Sequence, residues 1–355
     1  MRQSIYNIYK TQIECLKENL GEDTMSTISS VEDLESEDNC RNLCYDILEK
    51  YKKGRWESSE NVEKLAPNRL THVVSCYIMG NWLYNKFFKK RFNTTFFSSI
   101  YMKNDVNSKI HKFNFLWALT CLYHDAGYVY EEGDRCTLAD FSILNEKDRP
   151  EDLPSVYNLA NIYLYEQLRR ENCMKLDHGI YGALKLRKDF NELLKEEHPI
   201  DQTPPKAYNC AVWSIMCHNI WFQKPKNYCA SCYKAKDLHA LILNHAKQKV
   251  KISNSPFFYL LCLADNLEPS KKIKDSSDWK KIVFSYNSNQ STIQITYSKE
   301  QNKDPSGITE YIKSVKSLND WLVNVESIKN NGATILELHI ELNENENKNK
   351  KEDKS

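Results

Sequence analysis

The chain lacks any apolar run close to the roughly 18 residues that a membrane-spanning helix requires, and residues 1 to 6 lack the apolar stretch of a signal peptide. It also lacks an excess of charge of one sign, because 49 basic residues face 48 acidic ones and the net charge is +1. No overall field therefore attracts nucleic acid or an anionic membrane. We expect a cytoplasmic protein whose partners include neither a membrane nor duplex nucleic acid.

Glycine and proline are scarce, at 9 and 10 residues in 355. Between about 61 and 275 the chain alternates long apolar-periodic segments with charged loops, which predicts an all-helical core. Several of the 12 cysteines lie inside these apolar runs, where a free thiol packs as a small hydrophobic group. This cysteine usage indicates a reducing compartment.

The texture of the chain changes at both ends. Residues 1–60 predict an accessory helical region with a polar connection near 21–39, and residues after about 280 switch to the period-two alternation of strands. The overall prediction is a mainly α protein with a small C-terminal α+β appendage. Within the appendage we expect strands near 281–286, 291–297 and 333–342, a helix near 307–328, and a disordered tail over 343–355.

An insert is predicted at about 130–170. Its first part, from Glu131 to Pro154, is charged and reads as a loop or lid, and a helix through Tyr163 and Tyr165 follows. Such a segment is able to cover a site.

The most informative residues are histidines and aspartates that interrupt or close apolar segments. Burying these groups costs several kcal/mol unless something pairs with them, and imidazole with carboxylate is a ligand combination that suits divalent metals. The residues are His72, His124, Asp125, His178, His218 and Asp265. We predict that they converge on a metal site.

In this order the residues resemble the HD superfamily of metal-dependent phosphohydrolases. Flanking residues also match: Arg69 three positions before His72, the segment 178–183, the segment 211–218, and Ala264 to Pro269. The resemblance covers about 61–275 and implies an HD-type helical bundle there.

The resemblance implies two divalent ions, drawn from Mn, Fe, Co, Ni, Zn and Mg. His72, His124, Asp125 and Asp265 would hold one ion, and His178 and His218 the second. Asp125 would bridge the two, because ions about 3.5 to 4 Å apart need a shared anionic ligand. The catalytic residues would then be Asp125, His178, His218 and Arg69. Arg69 lies one helical turn before His72.

Arg69 has two readings, a bidentate fork for a phosphate or a structural ion pair. Asp177 fits a helix N-cap better than a partner for a ligand imidazole. Lys271 lies where related sequences often carry a phosphate-binding base, but a lysine in a polar loop is more often solvated. The Cys229 and Cys232 pair has half the spacing of a zinc site, and we expect loop cysteines.

Three functions remain open at this point. The first is hydrolysis of a phosphoester or phosphoanhydride bond in a nucleotide or a linear or cyclic oligonucleotide, or in another phosphorylated small molecule. The second is a mixed-valent diiron oxygenase, and the third a nucleotide-sensing protein. The sequence leaves a homo-oligomer open and does not separate these functions.

Overall fold

The computed structural model describes residues 2–20, 28–51, 69–89, 109–128, 141–151, 153–155, 157–173, 177–197, 206–220, 255–287, 292–298, 307–319, 322–330 and 333–339. The first ten residues of the predicted lid (131–140), the Cys229 and Cys232 pair, and the predicted tail lie outside these ranges. The described part is mostly helical and carries a small sheet toward its C-terminal end, which confirms the predicted fold class. The predicted domain boundaries stay predictions.

In the described part of the chain, two helices precede the core and six further helices surround or adjoin the candidate site. The lead-in helices are α1 (Ile5–Leu20) and α2 (Glu37–Tyr51). The others are α3 (Leu70–Leu83), α4 (Lys109–His124), α5 (Leu159–Cys173), α6 (His178–Glu197), α7 (Lys206–Cys217) and α8 (Pro256–Leu267). None of the helices in the described ranges is long and apolar enough to cross a membrane.

The central helices are apolar on all sides because they are surrounded by protein. Every residue of α3 except Thr71 is buried, and so is every residue of α7 after Lys206. Trp82, Trp117 and Trp213 fill the interior. Helix α8 begins with Pro256 in its first turn, where a missing N–H costs no hydrogen bond.

The buried cysteines behave as the sequence predicts. Within the described ranges Cys40, Cys44, Cys76, Cys121, Cys210, Cys217 and Cys262 are free and buried. Apart from Cys76, which borders the candidate site described below, they pack as small hydrophobic groups.

The sheet is antiparallel throughout and has the strand order β1-β2-β3-β5-β4. Three of its strands were predicted: β2 (Ile282–Asn287), β3 (Thr292–Ser298) and β5 (Ala333–His339). The two others, β1 (Arg2–Ser4) and β4 (Asn324–Asn330), were not predicted.

The predicted helix over 307–328 is too long. Helix α9 (Ile308–Ser317) ends at Ser317, and strand β4 follows because its backbone pairs with β5 from Asn324 to Asn330. The N-terminal region is likewise not only helical, since β1 pairs with β2 before α1 begins.

The C-terminal part packs directly on the helix that carries Asp265. The Tyr311 hydroxyl of α9 donates a hydrogen bond of 3.0 Å to the carbonyl of Leu267, and the Tyr259 hydroxyl donates one of 2.9 Å to that of Leu322. On the sheet, Phe284 of β2 meets Trp82 of α3 edge to face. The hydrophobic core is therefore continuous between helices and sheet.

Candidate metal centre

The structure brings all six predicted ligand residues together, although they come from five different places in the chain. His72 lies in the first turn of α3, His124 ends α4, and Asp125 follows it. His178 opens α6, His218 follows α7, and Asp265 lies near the end of α8. All six are at most 6% exposed, so their charges must be balanced inside the protein.

Asp125 is the centre of the cluster. Its Oδ2 lies 3.5 Å from Nε2 of His72, and its Oδ1 lies 3.3 Å from Nε2 of His124 and 3.5 Å from Nε2 of His178. The carboxylate therefore reaches imidazoles of both predicted ligand sets.

The second carboxylate, Asp265, lies on one side of the cluster. Its Oδ1 is 3.1 Å from Nε2 of His72 and 3.9 Å from Nε2 of His124, and these two nitrogens are 3.1 Å apart. Three ligand-type atoms thus surround one small space.

Two overlapping groups of side chains have ligand atoms within 4.8 Å of one another. One contains His72, Cys76, His124 and Asp265, and the other contains His124, Asp125 and His218. Among the described residues His178 belongs to neither group, although its ring centroid is 5.4 Å from that of His218. Its assignment to a second ion stays a prediction.

Hydrogen bonds fix the tautomers of the buried imidazoles. Nδ1 of His124 is 2.6 Å from the Cys121 carbonyl and Nδ1 of His218 is 2.6 Å from the Ile215 carbonyl. Because a carbonyl only accepts, both Nδ1 atoms carry the hydrogen. When the ring is neutral, Nε2 then presents its lone pair to the cluster.

The pKa values agree with neutral rings at these two positions. Burial lowers the pKa of His124 to about 3, and the nearby His72 and His218 add to this effect. Burial, followed by His178, also lowers the pKa of His218.

His72 is different because carboxylates surround it. Burial alone would lower its pKa, but Glu268, Asp125 and Asp265 outweigh burial and raise it to about 9. Nδ1 donates to Oε1 of Glu268 at 2.9 Å, so the additional proton sits on Nε2, facing Asp265. In the metal-free protein a proton thus occupies the place at which a cation would bind.

The donor set fits a divalent cation. Oδ1 of Asp125 is buried and accepts no hydrogen bond from the described part of the chain, although two imidazole nitrogens face it. A buried carboxylate oxygen without a partner is costly, and a metal ion would satisfy it. Lone-pair nitrogens and carboxylate oxygens together are ligands that zinc, iron, cobalt and manganese accept.

Glycines allow the helices to bring the ligands this close. A side chain at Gly127 would collide with the backbone carbonyl of His178, and one at Gly182 with the carbonyl of Tyr123. Both contacts join the His124 and Asp125 segment to α6, which carries His178.

Asp177 caps helix α6, as predicted. Its Oδ1 accepts hydrogen bonds from the backbone N–H groups of Gly179 at 2.9 Å and Ile180 at 3.4 Å. This cap fixes the start of the helix and with it the backbone of His178.

Two cations border the cluster. Nη1 of Arg69 is 3.3 Å from Oδ2 of Asp125, and Nζ of Lys271 is 3.2 Å from Oδ1 of Asp265. Their side chains are 32% and 30% exposed, so both sit between the buried carboxylates and solvent. The expectation that Lys271 is merely solvated is wrong, because it pairs with a candidate ligand.

Sequence reasoning missed three contributors. Glu268 holds His72, and Cys76 lies one turn after His72 on the same helix. The Tyr128 ring stacks on His178 with ring centroids 3.8 Å apart, and the Arg69 guanidinium lies 3.3 Å from the centroid of the Tyr128 ring. Only Cys76 offered a signal, its spacing of four from His72, which places both on one helix face.

The remaining histidines are not part of the cluster as far as the described residues extend. His111 lies within α4 and His339 ends β5, whereas His198, His239 and His245 fall outside the described ranges.

Comparison with protein-family models, curated proteins and solved structures found no match for this chain. A mainly helical protein with a buried His and Asp cluster able to bind metal is compatible with an HD-type fold.

Proposed function

We propose that the protein is an HD-type metal-dependent phosphohydrolase that cleaves a phosphoester or phosphoanhydride bond in a nucleotide or oligonucleotide. The observation that carries the proposal is the position of Asp125. This single carboxylate faces imidazoles from both ligand sets through Oδ1 and Oδ2, and Arg69 also contacts Oδ2.

The chain supplies the anionic and imidazole ligands. His72, His124, Asp125 and Asp265 would hold one ion, and His178, His218 and Asp125 the other. Two divalent ions bound there would bring the pKa of a water close to neutrality and would withdraw charge from phosphate oxygens.

The rim of the site suits a phosphorylated substrate. Arg69 presents a planar fork that suits two phosphate oxygens, and Lys271 presents a compact charge on the other carboxylate. Both are anchored by one carboxylate contact and remain about a third exposed. Their positive charge attracts an anionic group toward Asp125.

The test is phosphate release from a nucleotide panel by the purified full chain, together with its metal content. Asp125→Ala should lower the rate on the order of 10³-fold and remove metal, because several kcal/mol of transition-state stabilisation are lost. Asp38→Ala is the matched control, since Asp38 is 80% exposed on α2.

Unchanged turnover in Asp125→Ala would contradict the proposal. Bound iron with an oxygen-dependent product would instead favour the oxygenase. Nucleotide binding without any turnover would favour the sensor.

A further inference from the structure

Cys76 lies beside the candidate metal site in a position that the His and Asp pattern does not use. It follows His72 by four residues on α3, so both side chains project from one face of the helix. The Cys76 sulfur, the ring nitrogens of His72 and His124, and a carboxylate oxygen of Asp265 all lie within 4.8 Å of one another.

The spacing of these atoms suits one metal ion. At tetrahedral angles, bonds of about 2.0 to 2.3 Å to nitrogen, oxygen and sulfur separate the ligand atoms by roughly 3.3 to 3.8 Å. The three distances among His72 Nε2, His124 Nε2 and Asp265 Oδ1 are 3.1, 3.1 and 3.9 Å. Small shifts of the side chains would therefore seat an ion between them, and the Cys76 sulfur lies within 4.8 Å of a ring nitrogen of each histidine and of a carboxylate oxygen of Asp265.

We propose that Cys76 is a further direct ligand of the ion held by His72, His124, Asp125 and Asp265, which adds a sulfur to the site and favours a thiophilic divalent metal. The thiol proton leaves to solvent as the metal–sulfur bond forms. A thiolate ligand selects zinc, and after it iron or cobalt, over magnesium and manganese.

Asp125 keeps its place in this arrangement. Its carboxylate still faces His72 and His124 of the first set and His178 of the second, so Cys76 adds a ligand to the first ion and replaces none. The inference rests on the metal site of the proposed function and not on its reaction.

A neighbouring thiol provides a matched control. Cys121 is as fully buried as Cys76 and interacts with it, but it belongs to neither ligand group among the described residues. Cys121→Ser thus changes the same atom in the same environment without removing a proposed ligand.

The experiment is X-ray absorption at the metal edge of wild-type protein loaded with one equivalent of Zn²⁺ or Co²⁺, so that the tighter first site is filled. We expect one sulfur neighbour at about 2.3 Å, and for Co²⁺ a sulfur-to-metal charge-transfer band in the near ultraviolet. Cys76→Ser should lose both signals and lower Zn²⁺ affinity by about tenfold or more, since even outer partners of a ligand are worth 10- to 100-fold. Cys121→Ser should keep both signals.

The wild-type spectrum decides the matter even if Cys76→Ser does not fold. A bound metal with only nitrogen and oxygen neighbours would overturn the role of Cys76 and leave the proposed function standing. A sulfur signal that disappears in Cys121→Ser would overturn it as well. A wild-type protein that binds no metal would overturn both.

Discussion

On one side of Asp125, His72 and His124 are held by fixed hydrogen bonds to Glu268 and to the Cys121 carbonyl, and Asp265 lies within 3.9 Å of both rings. On the other side, Nδ1 of His218 donates to the Ile215 carbonyl, whereas the ring of His178 stacks on Tyr128 and its Nδ1 and Nε2 lie 3.0 and 2.5 Å from Nδ2 of Asn219. Both imidazoles of the first side are oriented by hydrogen bonds through Nδ1, while on the second side Asn219 also contacts Nε2 of His178, the atom that faces Asp125. On the proposed two-ion function, we therefore expect the first ion to bind more tightly than the second.

The largest effects should come from two single substitutions, each of which removes one histidine on one side of Asp125. His72→Ala should abolish tight binding, whereas His218→Ala should leave a protein with one ion and little activity. Elemental analysis after dialysis checks both, with His339→Ala in strand β5 as the control. An unchanged stoichiometry in His218→Ala would remove the two-ion proposal.

Glu268→Gln should weaken metal binding at the site of His72, His124 and Asp265 without replacing a ligand. The negative charge of Glu268 orients His72 and makes its ring more basic. The substitution removes this charge, so metal affinity should fall by about 10- to 100-fold. Competition with a chelator measures this change, and Glu310→Gln on the exposed face of α9 is the control. Equal affinity in both variants would show that Glu268 does not support the site.

The pH dependence of metal binding should follow the His72 proton. The pKa of His72 is raised to about 9 in the metal-free protein, above the unfolded value near 6.5, so its contribution to metal-free stability is complete below 6.5 and is lost as pH rises through 9. Metal must displace this proton, and its affinity should therefore increase from pH 7 to 9.

Thermal denaturation with and without Zn²⁺ at several pH values measures this trend. The gain in Tm on adding metal should grow with pH in the wild type and grow less in Glu268→Gln. A gain that is independent of pH would contradict a protonated His72.

The smallest effect is expected on the second side. Tyr128→Phe keeps the stack with Arg69 and His178, whereas Tyr128→Leu removes it. Cation–π and ring contacts of this kind are worth about 0.5 to 1.5 kcal/mol, which corresponds to roughly 2- to 12-fold in KM for a phosphorylated substrate. A Leu variant with the KM of the Phe variant would show that the stack has no positioning role.

The helical core and the six candidate ligands could be predicted because both are visible in short stretches of the sequence. A histidine or aspartate inside an apolar helical run is unusual at the level of the sequence. The cap at Asp177 has a similarly local cause, since an N-cap side chain accepts hydrogen bonds from the backbone N–H groups two and three residues ahead.

The parts that escaped prediction depend on partners far away in the chain. Glu268 contacts His72 across 196 positions. Strand β4 forms because β5 pairs with it, whereas its own sequence is mostly polar. The ion pair of Lys271 with Asp265 likewise depends on the fold of the loop after α8.

The most direct test of the account is a crystal structure of the protein grown with Co²⁺, with an anomalous difference map at the cobalt edge. We expect two peaks about 3.5 to 4 Å apart on either side of Asp125, one of them among His72, His124 and Asp265. A map without a peak inside this cluster, from crystals in which the metal is bound elsewhere or not at all, would contradict it.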